Sequence, residues 1–110
     1  MRDDTTALID RVHALIDAPL DGTPGERASI EYTLTEGYAR ALALEAERRR
    51  IDERITELTT LLRADDQRRL SEFTALAQRR SRAEGEISRL RALLRTLRER
   101  LAAAAAAALL

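Results

Sequence analysis

The chain has 110 residues, which is enough for a single domain, 1–110, and too few for two domains with separate cores. It contains no Cys, and this excludes disulfides, thiolate metal sites and Cys nucleophiles. The net charge is zero, with −5 over 1–62 and +5 over 63–110. We interpret this as complementarity within the chain, which disfavours nucleic acid as a partner.

The apolar residues are mainly Leu, Ile and Ala, with a single Val, which favours helices over strands and predicts an all-α fold. In chain order, the first predicted element is a short amphipathic helix over 4–18, for which Asp3, Asp4 and Thr5 are candidate N-caps. His13 is expected at the boundary of its apolar face. That face carries five residues at helical spacing: Leu8, Ile9, Val12, Leu15 and Ile16.

A turn over 19–23 follows, in the stretch that is rich in Pro and Gly. Thr23, Pro24 and Glu26 have the spacing of an N-cap, a Pro in the first helical position and the acidic residue of a capping box. We therefore predict that a second helix begins at residue 24 and runs to residue 62.

Heptad repeats of apolar residues predict the two arms of a hairpin, 24–62 and 67–104. In arm one, d positions hold Ile30, Gly37, Leu44, Ile51 and Leu58, and a positions hold Leu34, Ala41, Arg48, Ile55 and Leu62. In arm two, a positions hold Phe73, Arg80, Ile87, Leu94 and Leu101, and d positions hold Leu76, Ala83, Leu90, Leu97 and Ala104. A tip, 63–66, joins the arms, and the Ala-rich end, 105–110, is expected to extend the third helix and fray.

Arms of similar length with a short connection favour an antiparallel coiled-coil hairpin. In such a pair an a residue of one helix faces a d residue of the other. If the turn is centred between Asp65 and Asp66, the numbers of two facing residues always add up to 131. The predicted partners include Leu58 with Phe73, Leu44 with Ile87, and Gly37 with Leu94. Three more apolar residues are expected to widen the stripe at the open end, which the first helix covers: Tyr38, Leu42 and Leu93.

Two Arg residues interrupt the predicted seam, because Arg48 faces Ala83 and Arg80 faces Ile51. One interpretation is that each Arg lays its methylene groups over a small neighbour and extends its guanidinium to flanking acidic residues. The other is a belt that binds a partner, because this register brings like charges together. The like-charge pairs are Glu45 with Glu84, Glu47 with Glu86, and Arg54 with Arg79.

The sequence offers no constellation for catalysis, so we predict a protein that is not an enzyme and needs no cofactor. His13 is the single histidine, and a zinc site, which would need carboxylates in place of Cys, is not predicted. No Gly-rich phosphate loop is present. The Ser residues lie in helical heptads with no His placed to activate them: Ser29, Ser71, Ser81 and Ser88.

Asp65 and Asp66 give the tip two interpretations. One Asp can be the N-cap of the third helix. Alternatively, the acidic tip resembles those of the secondary-channel transcription factors, which insert a coiled coil into RNA polymerase and hold a metal ion there. That resemblance implies an RNA polymerase-binding factor, although this chain lacks the anchoring domain or zinc site that such factors usually carry.

Glu84, Ser88, Arg91, Arg95 and Glu99 form one outward stripe of the third helix, with the spacing E-x3-S-x2-R-x3-R-x3-E. The stripe resembles the E-x3-S-x2-R-x3-Q-x3-D signature of the anti-sigma factors that bind cyclic di-GMP on a helical hairpin, the RsiG family. The resemblance covers 16 residues, with Arg95 in place of Gln and Glu99 in place of Asp. It implies that Arg91 and Arg95 contact phosphates or guanine edges while Ser88 and the acids bond the bases. The alternative is a solvated helix face.

These patterns favour a helical-hairpin module for protein–protein interaction or regulation, whose partner is another protein or a second copy of the chain. The first alternative is a cyclic-di-GMP-responsive anti-sigma factor that binds a sigma factor, and the second is the RNA polymerase-binding factor. The N-terminus lacks a secretory signal pattern. The longest apolar run, 101–110, is far shorter than the ~20 residues of a membrane span. We therefore expect a cytoplasmic protein with no membrane partner.

Overall fold

The computed structural model describes residues 4–62 and 66–110. This part of the chain forms three helices: α1, Asp4–Asp17; α2, Pro24–Leu61; and α3, Gln67–Ala107. α2 and α3 form a long hairpin, and α1 packs with it. No strand occurs among the described residues, so the predicted all-α hairpin with a short N-terminal helix is confirmed.

The helix boundaries differ slightly from the predicted ones. α1 ends at Asp17, one residue early, and α2 ends at Leu61. α3 continues to Ala107, three residues past its predicted end, because Ala has the highest helix propensity. Beyond it, the Leu109 and Leu110 N–H groups bond to carbonyls three residues back, at 3.1 and 3.3 Å, which satisfies the last carbonyls of the helix.

Residues 21–26 organise the start of α2. Thr23 is its N-cap, as predicted, since Thr23 Oγ1 accepts the Glu26 N–H at 3.1 Å. The prediction that the Glu26 carboxylate accepts the N–H of Thr23, as in a capping box, is wrong. This carboxylate accepts the N–H groups of Asp21 and Gly22, at 2.9 and 3.2 Å. The Thr23 N–H donates instead to the Asp21 carboxylate at 2.8 Å. Gly22 has a φ of 70°, a left-handed conformation that favours glycine.

The predicted heptad seam is the buried stripe of both long helices. All ten residues assigned to d positions are buried, from Ile30 to Leu58 on α2 and from Leu76 to Ala104 on α3. At the a positions burial is complete for Leu34, Ala41, Ile87 and Leu94 and partial elsewhere, except that Arg80 is exposed. Buried residues therefore recur every seven positions along each helix, which confirms the predicted seam.

The chain divides into two compact units. The first comprises the described residues of 1–41 together with 89–110, and the second comprises 42–88. In the first unit α1 buries Leu8, Ile9 and Val12, while His13 is half-buried at the edge of this face. The prediction that α1 covers apolar surface of the hairpin is therefore confirmed within this unit.

Gly37 of α2 lies directly against Leu94 of α3 in the first unit. A Cβ built on Gly37 would overlap Leu94 Cδ2 and lie 3.2 Å from both Cδ1 and Cγ. Leu94 is fully buried. The predicted partnership of these two residues is confirmed, and the close approach explains why this layer of the seam holds a glycine.

The core of the second unit is an apolar cluster. Ile51, Leu58 and Leu76 are buried in it, and Ile55 and Phe73 pack against them. This cluster contains both members of the predicted Leu58–Phe73 pair and of the neighbouring Ile55–Leu76 layer. The antiparallel register centred on the tip therefore agrees with the packing of this unit.

Asp66 caps the N-terminus of α3, because its Oδ1 accepts the Arg69 N–H at 3.1 Å. Its Oδ2 also lies 3.3 Å from Arg69 Nε. The capping interpretation of the acidic tip is thus confirmed for Asp66. Asp65, together with the rest of the predicted tip, 63–64, lies outside the described residues.

The prediction that Leu42 widens the apolar stripe of the hairpin is wrong. Leu42 exposes 62% of its surface, whereas Tyr38 and Leu93 are half-buried. Leu42 occupies a b position of the α2 heptad, which points away from an a/d seam.

Candidate functional site

In the second unit, Arg48 and Arg80 extend toward acidic neighbours. Arg48 donates to Glu84 Oε1 at 2.9 Å, and Arg80 Nε donates to Asp52 Oδ1. Arg80 Nη1 also lies 4.0 Å from the other Glu84 oxygen, so the four side chains form one connected set. The side chains of Arg48 and Arg80 expose 32% and 45% of their surface. This confirms that their guanidinium groups leave the seam for flanking carboxylates.

A second set of ion pairs lies along a groove of this unit that is lined in part by Ile51 and Leu76. Arg54 bonds both oxygens of Glu72, at 2.8 and 3.2 Å, and Arg79 Nη2 lies 3.8 Å from Glu47. The hydrogen bonds from Arg54 hold the pKa of Glu72 below its usual range.

Several of the residues that the register is predicted to bring beside like charges form ion pairs across the hairpin. Arg54 and Arg79, which the register brings together, each bind an acidic residue of the other helix. Glu47 and Glu84, expected beside other acids, each bind an Arg. Long side chains can reach an opposite charge about one helical turn along the partner helix, so the hairpin needs no outside partner to neutralise them.

The stripe Glu84, Ser88, Arg91, Arg95 and Glu99 lies on α3, with its first two residues in the second unit and its last three in the first. Ser88, Arg95 and Glu99 are exposed, and Arg91 is half-buried. Glu84 is bound to Arg48, so its carboxylate already has a role within the hairpin. Exposure makes three of the five residues available to a ligand.

The first unit contains an exposed aromatic residue that the heptad analysis did not single out. Tyr32 on α2 exposes 64% of its surface, one turn before Glu36. Arg11 of α1 donates to both oxygens of Glu36, at 3.0 and 2.8 Å. Arg11, and to a smaller degree the Tyr32 hydroxyl, hold the pKa of Glu36 below its usual range. An aromatic residue at an outward f position was the sequence signal for this feature.

Beside Tyr32 on α2, the Glu36 carboxylate is bound to Arg11. Three other neighbours on this face are uncharged and exposed: Ala28, four residues before Tyr32, and Thr35 and Ala39, three and seven residues after it. This is unusual for a chain in which 35% of residues are charged. We call Tyr32 with these three residues the Tyr32 face.

Several Arg residues of the first unit have no ion pair with another described residue. Residues 4–41 hold seven acidic residues and three Arg, a net −4, and residues 89–110 hold five Arg and one Glu, a net +4. Within the described part of the chain, four of these Arg have no ion-pair partner: Arg89, Arg95, Arg98 and Arg100. In the second unit, ion pairs between α2 and α3 realise the predicted complementarity within the chain.

No protein-family model matches the chain, and no curated protein and no solved structure matches it either. Among residues 4–62 and 66–110, no group of three or more His, Asp or Glu side chains is arranged to hold a metal ion. Over the same ranges, no helix combines the length and the apolar content needed to cross a bilayer. The resemblance to anti-sigma factors accordingly rests on the five stripe residues.

Proposed function

We propose that this chain is a protein-interaction or regulatory module in which the helical hairpin presents its outer faces to another protein. The observation that carries the proposal is the exposed ring of Tyr32 beside the uncharged residues of the Tyr32 face, with the neighbouring Glu36 already paired to Arg11. Tyr is enriched among the residues that dominate binding energy at interfaces, where charged residues are depleted from the centre. The Tyr32 face has this composition, whereas the rest of the surface is rich in Arg and Glu.

The contacts beneath Tyr32 support the same proposal. Glu36 is fixed by two hydrogen bonds from Arg11, which belongs to another helix. The Tyr32 hydroxyl contributes to the lowered pKa of Glu36, so an ordered carboxylate lies close to the exposed ring.

Affinity purification with the tagged chain tests the proposal, provided that each captured protein is then purified and its affinity measured directly. Tyr32→Ala should weaken that affinity roughly thirtyfold, the effect of losing a hot-spot residue. Leu109→Ala is the matched control, because Leu109 is also exposed in the first unit but lies outside the Tyr32 face. Equal affinity for the wild type and both variants would contradict the proposal.

Cyclic di-GMP recognition is the second candidate, and the exposure of Ser88, Arg95 and Glu99 on α3 favours it. We predict weak or undetectable binding of the nucleotide by the chain alone, because exposed Arg–phosphate pairs contribute little in water. Calorimetry measures this, and Arg91→Ala should leave the helix content unchanged. Micromolar or tighter binding that is abolished by Arg91→Ala and by Ser88→Ala would instead favour the anti-sigma function.

A further inference from the structure

We infer that the outward face of α2 binds a second copy of this chain, with the two α2 helices antiparallel and related by a twofold axis. The contact is made by six uncharged residues at alternating intervals of four and three, which we call the α2 stripe: Ala28, Tyr32, Thr35, Ala39, Leu42 and Ala46. The inference rests on the proposed function, because it names the partner of the Tyr32 face. It also extends that face to Leu42 and Ala46 and gives the contact a register.

The spacing of the α2 stripe is that of a second coiled-coil seam. α2 is continuous from Pro24 to Leu61, and the stripe occupies b and f positions, on the side of the helix away from the hairpin seam. Leu42 and Tyr32 expose 62% and 64% of their surface. Among the exposed residues of 28–46, the single charged one is Glu31. One seam of α2 therefore binds α3, and an uncharged seam on its other side faces solvent.

The order of large and small residues along the stripe points to a second copy as the partner. In an antiparallel pair an a residue faces a d residue, so the numbers of facing residues add up to a constant, here 74. The layers between two copies are then Ala28 with Ala46, Tyr32 with Leu42, and Thr35 with Ala39. Large residues meet large ones and small residues meet small ones. A twofold pairing needs a stripe that matches itself when reversed, and an unrelated partner does not.

The size of the contact sets the expected affinity. Ala28 and Ala46 are 18 residues apart, about 27 Å along the helix. Four of the six stripe residues are Ala or Thr, so the two helices can approach closely. Because the contact is only one helix wide, it is smaller than a typical stable interface, and we expect a Kd in the micromolar range.

Charges beside the stripe determine how the dimer responds to salt. Glu36, near the twofold axis, is already bound to Arg11 of its own chain. Glu31 is exposed and lies beside Glu45 of the second copy in this register. These like charges oppose association, so the dimer should be at least as strong at ~1 M NaCl, where the screening length is about 3 Å, as at ~0.1 M. Glu31→Gln should lower the Kd about threefold, since the repulsion occurs twice.

Sedimentation of the purified chain from ~10 μM to ~1 mM is the first test, and we expect a monomer–dimer equilibrium. Leu42→Arg should raise the Kd at least tenfold, because it places a charge in two layers of the dimer. It should leave the helix content unchanged, because Leu42 is exposed and Arg has a similar helix propensity. Leu109→Arg is the matched control, since it makes the same change at an exposed Leu outside the stripe.

Disulfide crosslinking tests the register, because the natural chain has no Cys. Ala28→Cys and Ala46→Cys face each other in the inferred dimer, so a mixture of the two variants should crosslink under mild oxidation. Each variant alone should not, because identical positions are then about 27 Å apart along the helices. Crosslinking of Ala28→Cys with itself would show a parallel contact and overturn the inference.

A chain that stays monomeric up to ~1 mM overturns the inference. A dimer that Leu42→Arg leaves unchanged, or one that dissociates at high salt, also overturns it, because the contact then lies elsewhere. A monomeric chain that binds another protein through Tyr32 would overturn the inference and leave the proposed function standing. A dimer that is lost in Leu42→Arg, with no other protein captured, would support the inference and contradict binding to a different protein.

Discussion

At the scale of single residues, the glycines of α2 and α3 have opposite roles. Gly37→Ala would drive a methyl group into the buried Leu94, and overpacking of this kind costs about 1–3 kcal/mol. Gly85 is exposed on α3 and nothing lies within 4 Å of a Cβ built there. Gly85→Ala should therefore raise the free energy of unfolding by up to about 1 kcal/mol, the difference in helix propensity.

Thermal unfolding of both variants checks this prediction, since each changes a helical glycine to alanine. The expected result is a lower Tm for Gly37→Ala and a higher Tm for Gly85→Ala. A higher Tm for both would mean that Leu94 can change its rotamer freely and that the α2–α3 contact at this layer is loose.

Arg48 and Arg80 are the residues at which the seam departs from its apolar pattern. Replacing both with Leu should raise Tm, because partly exposed ion pairs contribute roughly 0–1 kcal/mol and a buried Leu contributes more. The same variant should show a broader range of oligomers in sedimentation, because polar residues at a positions specify register. Arg49→Leu, at an exposed position, is the control. A clear fall in Tm for the double variant would show that the ion pairs stabilise the hairpin.

At the scale of elements, two substitutions of Asp66 at the start of α3 distinguish its role as an N-cap from any function of its negative charge. Asp66→Asn keeps a good N-cap and removes the charge, whereas Asp66→Ala removes both. We expect Asp66→Ala to lower stability by about 1 kcal/mol and Asp66→Asn to change it much less. Binding of RNA polymerase by the wild type, lost in Asp66→Asn at unchanged Tm, would instead support the transcription-factor interpretation of the acidic tip.

The elements could be predicted from sequence because each depends on a local pattern. The heptads predict which residues of α2 and α3 are buried, and Thr23 with Pro24 predicts where α2 begins. The capping box failed in part because Asp21 competes for the Thr23 N–H, a contact that depends on the turn geometry at Gly22. The ion pairs of Arg48 and Arg80 with flanking acids were predicted, but the exact partners of Arg54 and Arg79 were not, because a register predicts which backbones face each other and not where a long Arg side chain ends.

At the scale of the whole molecule, carboxylates with lowered pKa values link stability to pH. Asp21, Glu36 and Glu72 all bind protons less readily when folded, because they accept hydrogen bonds from Thr23, Arg11 and Arg54 respectively. Their contribution is therefore complete above the ordinary carboxyl pKa and is lost as pH falls through the lowered folded values.

We expect Tm to be nearly constant from pH ~7 to ~5 and to fall below pH ~4.5, near the ordinary Glu pKa. Glu72→Gln should lower Tm at neutral pH and make the acid-side fall shallower, so that its curve approaches the wild type at low pH. Thermal scans at several pH values measure both curves. Parallel curves for the two proteins would show that Glu72 has no link to pH-dependent stability.

The candidate site was much less predictable than the fold. The stripe on α3 was found from a spacing, and Tyr32 could have been found from its f position, but the ion pair beside Tyr32 joins Glu36 to Arg11, which is 25 residues away in sequence. The unpaired state of Arg95 and Arg98 also depends on which acids lie within reach in three dimensions. Neither feature, since each depends on contacts between distant parts of the sequence, is contained in a local pattern.

The hairpin register also has a consequence for how the chain folds. Ile55 and Leu76, near the tip, are separated by 21 residues of chain, whereas Gly37 and Leu94 are separated by 57. Closing the longer loop costs roughly 1 kcal/mol more entropy, so contacts near the tip form more readily in the unfolded chain. Folding should therefore nucleate at the Leu58 cluster and proceed toward the termini, and a substitution at Leu58 should slow folding more than one at Leu97.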